Sequence, residues 1–305
     1  MPSSTPDPGG ILSRMFGEPV ASAHRAAPPA GRVRRAWARA WASGLALLLV
    51  GCGGGSGSEG PGGGDPAVSP QGTREVRTIG STLTGTSYPL SLYVPPASAG
   101  PRGGMPVIYV LDGESWFETL AGIVESARLP IIVVGVGSAG QRNRDFVPAN
   151  RCTGGGGGQA AYFDFLRREL LPYVQQTVGG DASRRALFGH SHGGSFVLYA
   201  LFSEPAGSQV FAAYLPSDSS VSCMPDVAEA WEQAYAARHR ELPVRLHLSY
   251  ASQGNAAANQ SYADVIARRG YQRLTYQAQG YEGTHGGIVP RVLADVIGFA
   301  FSAAP

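Results

Sequence analysis

With 305 residues, 43% of them apolar, the chain can bury a substantial core and has room for one large domain plus appendages. Charged residues make up only 15% and the formal charge is +2, with every basic residue an arginine. Six of those arginines, against Asp7 and Glu18 alone, fall in the first 51 residues; the rest is near neutral and lacks the basic footprint that nucleic-acid binding needs, which excludes that partner class.

The N-terminal segment reads as an address. Arg32, Arg34, Arg35 and Arg39 precede the apolar run Leu45 to Val50, which ends in Gly51-Cys52. A basic region, a short hydrophobic stretch and a small residue before the cut are the grammar of a secretory signal. The run is about half the ~20 residues a membrane-crossing helix requires, so it is too short to span. Leu49-Val50-Gly51-Cys52 resembles the bacterial lipobox, which implies cleavage before Cys52 and lipidation of its thiol. The protein is then exported and anchored to a bacterial membrane, facing the periplasm or the cell exterior. Residues 1–52 are leader and signal. Residues 53–72, opening GGGSGSEGPGGGDP, have no hydrophobic face and form a flexible tether. Residues 73–305 remain for the folded domain. With Cys52 assigned to lipid, Cys152 and Cys223 are an even pair in an oxidising compartment and hence a disulfide candidate.

From residue 73 short β-rich runs alternate with helical patterns. Glu75–Ile79 and Leu90–Val94 are expected to pair antiparallel. PVIYVL (Pro106–Leu111) and PIIVVGV (Pro130–Val136) are near-continuous apolar runs, the pattern of strands buried on both faces of a parallel sheet. Phe163, Leu166, Leu170 and Val174 recur at helical spacing before Gly179-Gly180 ends the helix. The short strand Ala186–Phe188 leads into a helix from His192 to Ser203. Strands follow at Phe211–Leu215, Val244–Tyr250 and Arg273–Gln277, separated by helices near 226–239 and 259–269, and a last helix covers 289–302. This alternation predicts a single α/β domain with a mostly parallel central sheet, flanking helices and right-handed crossovers.

The segment ALFGHSHGG sets Gly189-His190-Ser191-His192-Gly193 between a strand and a helix. A serine on such a sharp turn is pushed above the sheet edge, and the flanking glycines relieve crowding. With 43 glycines in the chain, a GxSxG match arises by chance about half a time, so the weight rests on context. That context is an apolar strand before, a helix after, and Gly194 where the two must pack closely. The helix aims its N-terminal dipole and free N–H groups at the place where negative charge develops.

Ser191 as nucleophile needs a general base. His285, in GYEGTHGG between the last strand and the last helix, is placed to supply it. His24 lies in the leader, His239 in a charged helix, and His247 alternates within a strand to a solvent-facing position. His190 and His192 lack a third ligand at a plausible spacing, so no metal is expected, and nothing calls for a cofactor. One oxyanion donor is expected from the backbone N–H of His192. The other is expected from the loop LDGESWF, where Gly113 lets the chain turn and the N–H of Glu114 is the candidate.

These pieces together resemble the putative-esterase (esterase D-like) family, in particular the branch similar to siderophore trilactone hydrolases. The marks are YVLDGESWF, the RNRDF run from Arg142 to Phe146, GHSHGGSFVLYALFSEP, LPSDSS, LPVRLHLSY and YEGTHGGIVP, spread from about residue 73 to 302. The resemblance implies an α/β-hydrolase fold and hydrolysis of carboxylic esters through an acyl-enzyme on Ser191 with His285. Relatives place a carboxylate just beyond the strand that here ends at Tyr250, but this chain reads ASQGNAAANQ there, with Gly254 and Asn255 at the acid positions. Three residues are candidates for the missing role: Asp218 in LPSDSS, which is preferred, Asn255 as a neutral acceptor, and Glu282. The implied substrate is a small extracytoplasmic ester, siderophore-like or aromatic. Trp116 and Arg144 are the first candidates to line its pocket, with Phe117, Arg142 and Trp231 beside them. A non-catalytic lipid-anchored binding protein on a degenerate scaffold, and an acyltransferase, are the competing functions, because fold alone does not separate them.

Overall fold

In Val107–Leu111 (β3) and Ile132–Val136 (β4) every residue is buried, so both faces of these strands must be covered. The computed structural model describes residues 71–302. The expected leader, the lipobox at Cys52 and all but the last two tether positions lie outside the described residues. The other strands are β1 (Thr73–Gly80), β2 (Ser87–Val94), β5 (Arg185–His190), β6 (Ala213–Ser217), β7 (Arg245–Gln253) and β8 (Thr275–Thr284). They form one sheet in the order β1-β2-β4-β3-β5-β6-β7-β8. β2 runs antiparallel to both its neighbours, and every other pairing is parallel.

The alternation along each strand sorts its side chains into two cores. Val107, Tyr109 and Leu111 join the larger core, with Leu187 of β5 and residues of α3 (Gln159–Phe165), α4 (Leu171–Thr177), α5 (His192–Ser203), α6 (Pro225–Ala236) and α7 (Ala256–Arg269). Ile108 and Val110 join the smaller core, under α1 (Gly113–Ser126) and α8 (Val289–Phe301). The short α2 (Arg142–Phe146) follows β4, and α3 and α4 are joined by a π-helical turn over Leu166–Leu170. This is the α/β-hydrolase arrangement: one mostly parallel sheet with helices on both sides.

Three local differences from the expected elements have physical causes. LDGESWF is the start of α1 rather than a plain turn, because Asp112 adopts a left-handed conformation (φ 51°, ψ 49°) that swings the chain directly into the helix. β8 continues to Thr284 instead of stopping at Gln277; it is an edge strand, so its exposed polar residues hide the pattern while its backbone still pairs with β7. His247 faces inward, only 1% exposed, because β7 is covered on both faces and the imidazole packs on Phe299 of α8 at 5.2 Å between ring centres. Burial holds its pKa below the ordinary histidine value.

The functional consequence is convergence. β3, β5, β6, β7 and β8 run the same way, so Asp112, Ser191, Asp218, Gly254 and His285 all follow carboxyl ends at one edge of the sheet. Open α/β sheets place their ligands there.

Candidate active site

Ser191 is the sharp point between β5 and α5. Its backbone sits at φ 62°, ψ −120°, a conformation costly for a side-chain-bearing residue and held by its surroundings. Its N–H donates to the carbonyl of Ser217 at 2.9 Å, and its carbonyl accepts from the N–H of Ser220 at 3.1 Å. Gly189 makes the turn possible, since a Cβ there would lie 2.3 Å from the Gly193 carbonyl oxygen. The Ser191 hydroxyl pairs with Ser220 Oγ at 3.1 Å, and no hydrogen bond joins it to His285. Ser220, in the 3-10 turn Ser220–Cys223, thus holds both the backbone and the hydroxyl of the serine.

His285 follows the last residue of β8 and turns its Nδ1 to Oδ2 of Asp218 at 2.5 Å. The carboxylate is fully buried and also accepts from the N–H groups of Ala251 at 3.0 Å and Asn255 at 3.2 Å. Burial works to raise this carboxyl's pKa, but the hydrogen bonds from His285, Ala251 and Asn255 outweigh it and hold the group below the usual carboxylate value. An ionised Asp218 accepts, so the network assigns the imidazole proton to Nδ1 and leaves Nε2 as a free acceptor. The His285 ring lies against that of His190 at 4.4 Å, and His190 meets the edge of Trp116 at 5.6 Å.

The other two acid candidates do not touch the imidazole. Asn255 donates its side-chain amide to the carbonyl of Asp218 and accepts from Ser222 Oγ, both at 3.2 Å, and so props the loop that carries Asp218. Glu282 is exposed, and its carbonyl takes the Arg291 guanidinium.

His192 opens α5 and Glu114 lies in the first turn of α1; the N–H groups of a helix's first turn have no acceptor within their own helix. Both helices start beside the Ser191 turn, after the paired strands β3 and β5. Gly113 is not the turning residue; a Cβ on it would lie 2.6 Å from the Gly135 backbone, so its glycine serves close packing. The Glu114 carboxylate accepts from the N–H and hydroxyl of Ser138, tying down the loop after β4.

Of the candidate pocket residues, Trp116 packs on His190, whose ring in turn lies on that of His285. Arg144 is corrected: it is spent on the buried Asp145 at 2.7 Å, with Thr86 Oγ1 at 3.0 Å and Tyr88 OH at 3.1 Å, because a buried carboxylate must be paired. Phe117 belongs to the core beneath α1, and Trp231 packs on Tyr199 with ring centres 5.3 Å apart. Arg142 is bound into the site itself, beside the nucleophile turn. Its Nε donates to both oxygens of Asp112 at 2.9 and 3.0 Å, Nη1 to His192 Nδ1 at 2.9 Å, and Nη2 to the His190 carbonyl at 3.2 Å. That clamp and the Ser220 contact escape sequence reasoning, because each joins residues far apart in the chain.

Cys152 and Cys223 form a disulfide with Cα atoms 5.4 Å apart, joining the loop between α2 and α3 to the turn that carries Ser220. Among the described residues no group of three His, Cys, Asp or Glu side chains is arranged to hold a metal ion.

The family model described as Putative esterase matches residues 81–282, ending just before His285. The chain is 31% identical over 168 residues to the Ferri-bacillibactin esterase BesA of Bacillus subtilis, covering 47% of this chain and 58% of that protein. It is 31% identical over 162 residues to the Siderophore triacetylfusarinine C esterase of Aspergillus fumigatus, covering 47% and 54%. The chain therefore spans little more than half the length of these two relatives. Among solved structures, the BES protein from Bacillus cereus superposes with a TM-score of 0.66 at 25% identity, over 78% of this chain and 100% of that one.

Proposed function

Because the chain belongs to the Putative esterase family, we propose that it hydrolyses carboxylic esters through an acyl-enzyme on Ser191. The observation that carries this reading is the buried Asp218 held 2.5 Å from His285 at the sheet edge where the strained Ser191 sits. In the reaction Ser191 Oγ leaves Ser220, turns to Nε2 of His285 and gives up its proton there as the oxygen attacks the ester carbonyl carbon. Asp218 keeps Nδ1–H oriented and stabilises the imidazolium. The negative charge on the former carbonyl oxygen is met by the N–H groups of His192 and Glu114. Collapse breaks the bond to the alkoxy group, which leaves with the proton from His285. Water, deprotonated by the same imidazole, then releases the acid and restores the serine hydroxyl.

The intact acid–base pair weighs against a decayed, non-catalytic scaffold. For the substrate class, one relative is named for ferri-bacillibactin and the other for the siderophore triacetylfusarinine C, which makes esters of that kind the first to assay and simple aryl esters the second. For location, the lipobox at Cys52 and the disulfide support an extracytoplasmic domain tethered to a membrane, since disulfides persist in oxidising compartments. A fluorophosphonate probe on the full-length chain tests the mechanism. Labelling and ester turnover are both expected, and both should vanish in Ser191→Ala; a folded wild type that takes no label sinks the serine mechanism.

A further inference from the structure

The described body carries as many arginines as acidic side chains, yet exposed arginines gather at one end of it. That end is the edge where the parallel strands begin and the returning helices finish, opposite the edge that holds Ser191 and His285. Arg102 stands in the 3-10 turn before β3, Arg128 just past α1, Arg238 and Arg240 just past α6, and Arg268 in the last turn of α7. All five are exposed, and none has an ion-pair partner among the described residues. The acids of this edge are already taken: Glu125 by Arg74 at 2.8 Å, Asp181 by Arg184 at 3.1 Å, the buried Glu232 by Arg269 at 2.7 Å and Glu241 by Arg273 at 3.3 Å. The helix dipole accounts for a cation in a last turn, such as Arg268; it does not account for Arg102 ahead of a strand or Arg240 beyond α6.

The chain enters at the same edge. Thr73 opens β1 opposite Val94, the last residue of β2, and the neighbouring Tyr93 lies beside Val133 near the start of β4. The segment that leads from Cys52 therefore joins the body on the arginine side. A Gly/Ser-rich connection limits distance without setting orientation; a charged face can set it. We propose that this edge of the sheet docks on an anionic phospholipid surface, so that the edge holding Ser191 and His285 faces away from the bilayer. The proposal rests on the anchored reading above and not on the esterase reading. Guanidinium groups suit phosphate headgroups, and each one near an anionic leaflet strengthens partitioning roughly fivefold.

The test places the full-length protein, purified with its lipid from a bacterial membrane, in vesicles of phosphatidylglycerol with phosphatidylcholine, or of phosphatidylcholine alone. Amide hydrogen exchange is then read at Met105, Leu242 and Gln272, whose N–H groups are hydrogen-bonded at this edge. Exchange there should slow on the phosphatidylglycerol vesicles only, while Ser220 at the opposite edge is unaffected. The slowing should vanish at about 0.5 M salt, where charges are screened within roughly 4 Å. Arg102→Gln, Arg128→Gln, Arg240→Gln and Arg268→Gln together should abolish it, and the same four positions changed to Lys should keep it. A urea midpoint equal to that of the wild type certifies the fold of each variant. No slowing, equal slowing on phosphatidylcholine, or slowing that survives in the folded Gln variant overturns the docking face. If mass spectrometry finds Cys52 unmodified, the anchored reading fails instead. Sedimentation of the full-length Cys52→Ser chain with phosphatidylglycerol vesicles then decides the face alone: the four Gln changes should lower partitioning more than about tenfold, and equal partitioning overturns it.

Discussion

A Cβ atom on Gly254 would lie 2.3 Å from Oδ2 of Asp218. The glycine at the position where relatives are expected to carry their acid is therefore occupied in space by an acid from the neighbouring strand end. Asp218 reaches it because β6 and β7 are parallel neighbours, with Ser217 opposite Ser249. Two substitutions probe this exchange. Asp218→Asn should lower kcat by up to about 10⁴-fold with little effect on KM, the size seen when a triad acid becomes an amide in a chymotrypsin-type enzyme. Gly254→Ala should lower kcat in the same direction without touching any reacting group, because its methyl displaces the carboxylate from His285. Steady-state kinetics at pH 8 measures both, and a fully active Gly254→Ala variant would show that Asp218 has room to spare.

The turn Ser220–Cys223 links three parts of the site: Ser220 to the nucleophile, Ser222 to the prop Asn255, and Cys223 to the loop between α2 and α3. The disulfide closes a segment of 71 residues in sequence separation, for which loop-closure entropy allows up to about 4 kcal/mol of stabilisation. Replacing both cysteines by serine should lower the urea midpoint accordingly and reduce kcat, since the turn loses its anchor beside Ser191. A double variant with an unchanged midpoint would mean the loop is held by its other contacts. The short α2 matters in the same way. It is a single turn of helix, yet it aims Arg142 at two other elements and Arg144 at a buried carboxylate.

For the molecule as a whole, the buried histidines set a direction for pH dependence. Burial, and then the nearby His285, lower the His190 pKa to about 3; burial and Arg142 lower that of His192 to about 4. The unfolded chain takes up protons on these groups as pH falls through about 6.5, while the native state refuses them until far lower. Between those limits the unfolded state binds more protons, so unfolding free energy rises with pH. The stabilisation is complete above about pH 6.5 and drains away on acidification towards pH 4 and then 3. Urea midpoints at pH 7.5 and 5 should differ in that sense, and the difference should shrink in His192→Gln. Equal midpoints for the wild type would contradict the neutral, buried state of both rings.

The amino-acid order was enough for the parts of this protein governed by local pattern. Apolar runs such as Val107–Leu111 announce buried parallel strands, the glycines around Ser191 announce a strand–helix turn, and the place of His285 between the last strand and the last helix follows from chain order. What it left open depends on distances between elements far apart in sequence. Asp218 and His285 are 67 residues apart and Arg142 and His192 are 50 apart, and each pair meets only because parallel strands align their carboxyl ends. A buried charge is selected for the partner it meets across space, which no run of neighbouring residues records; that is why the acid, the clamp and the inward face of His247 belonged to the folded sheet to settle.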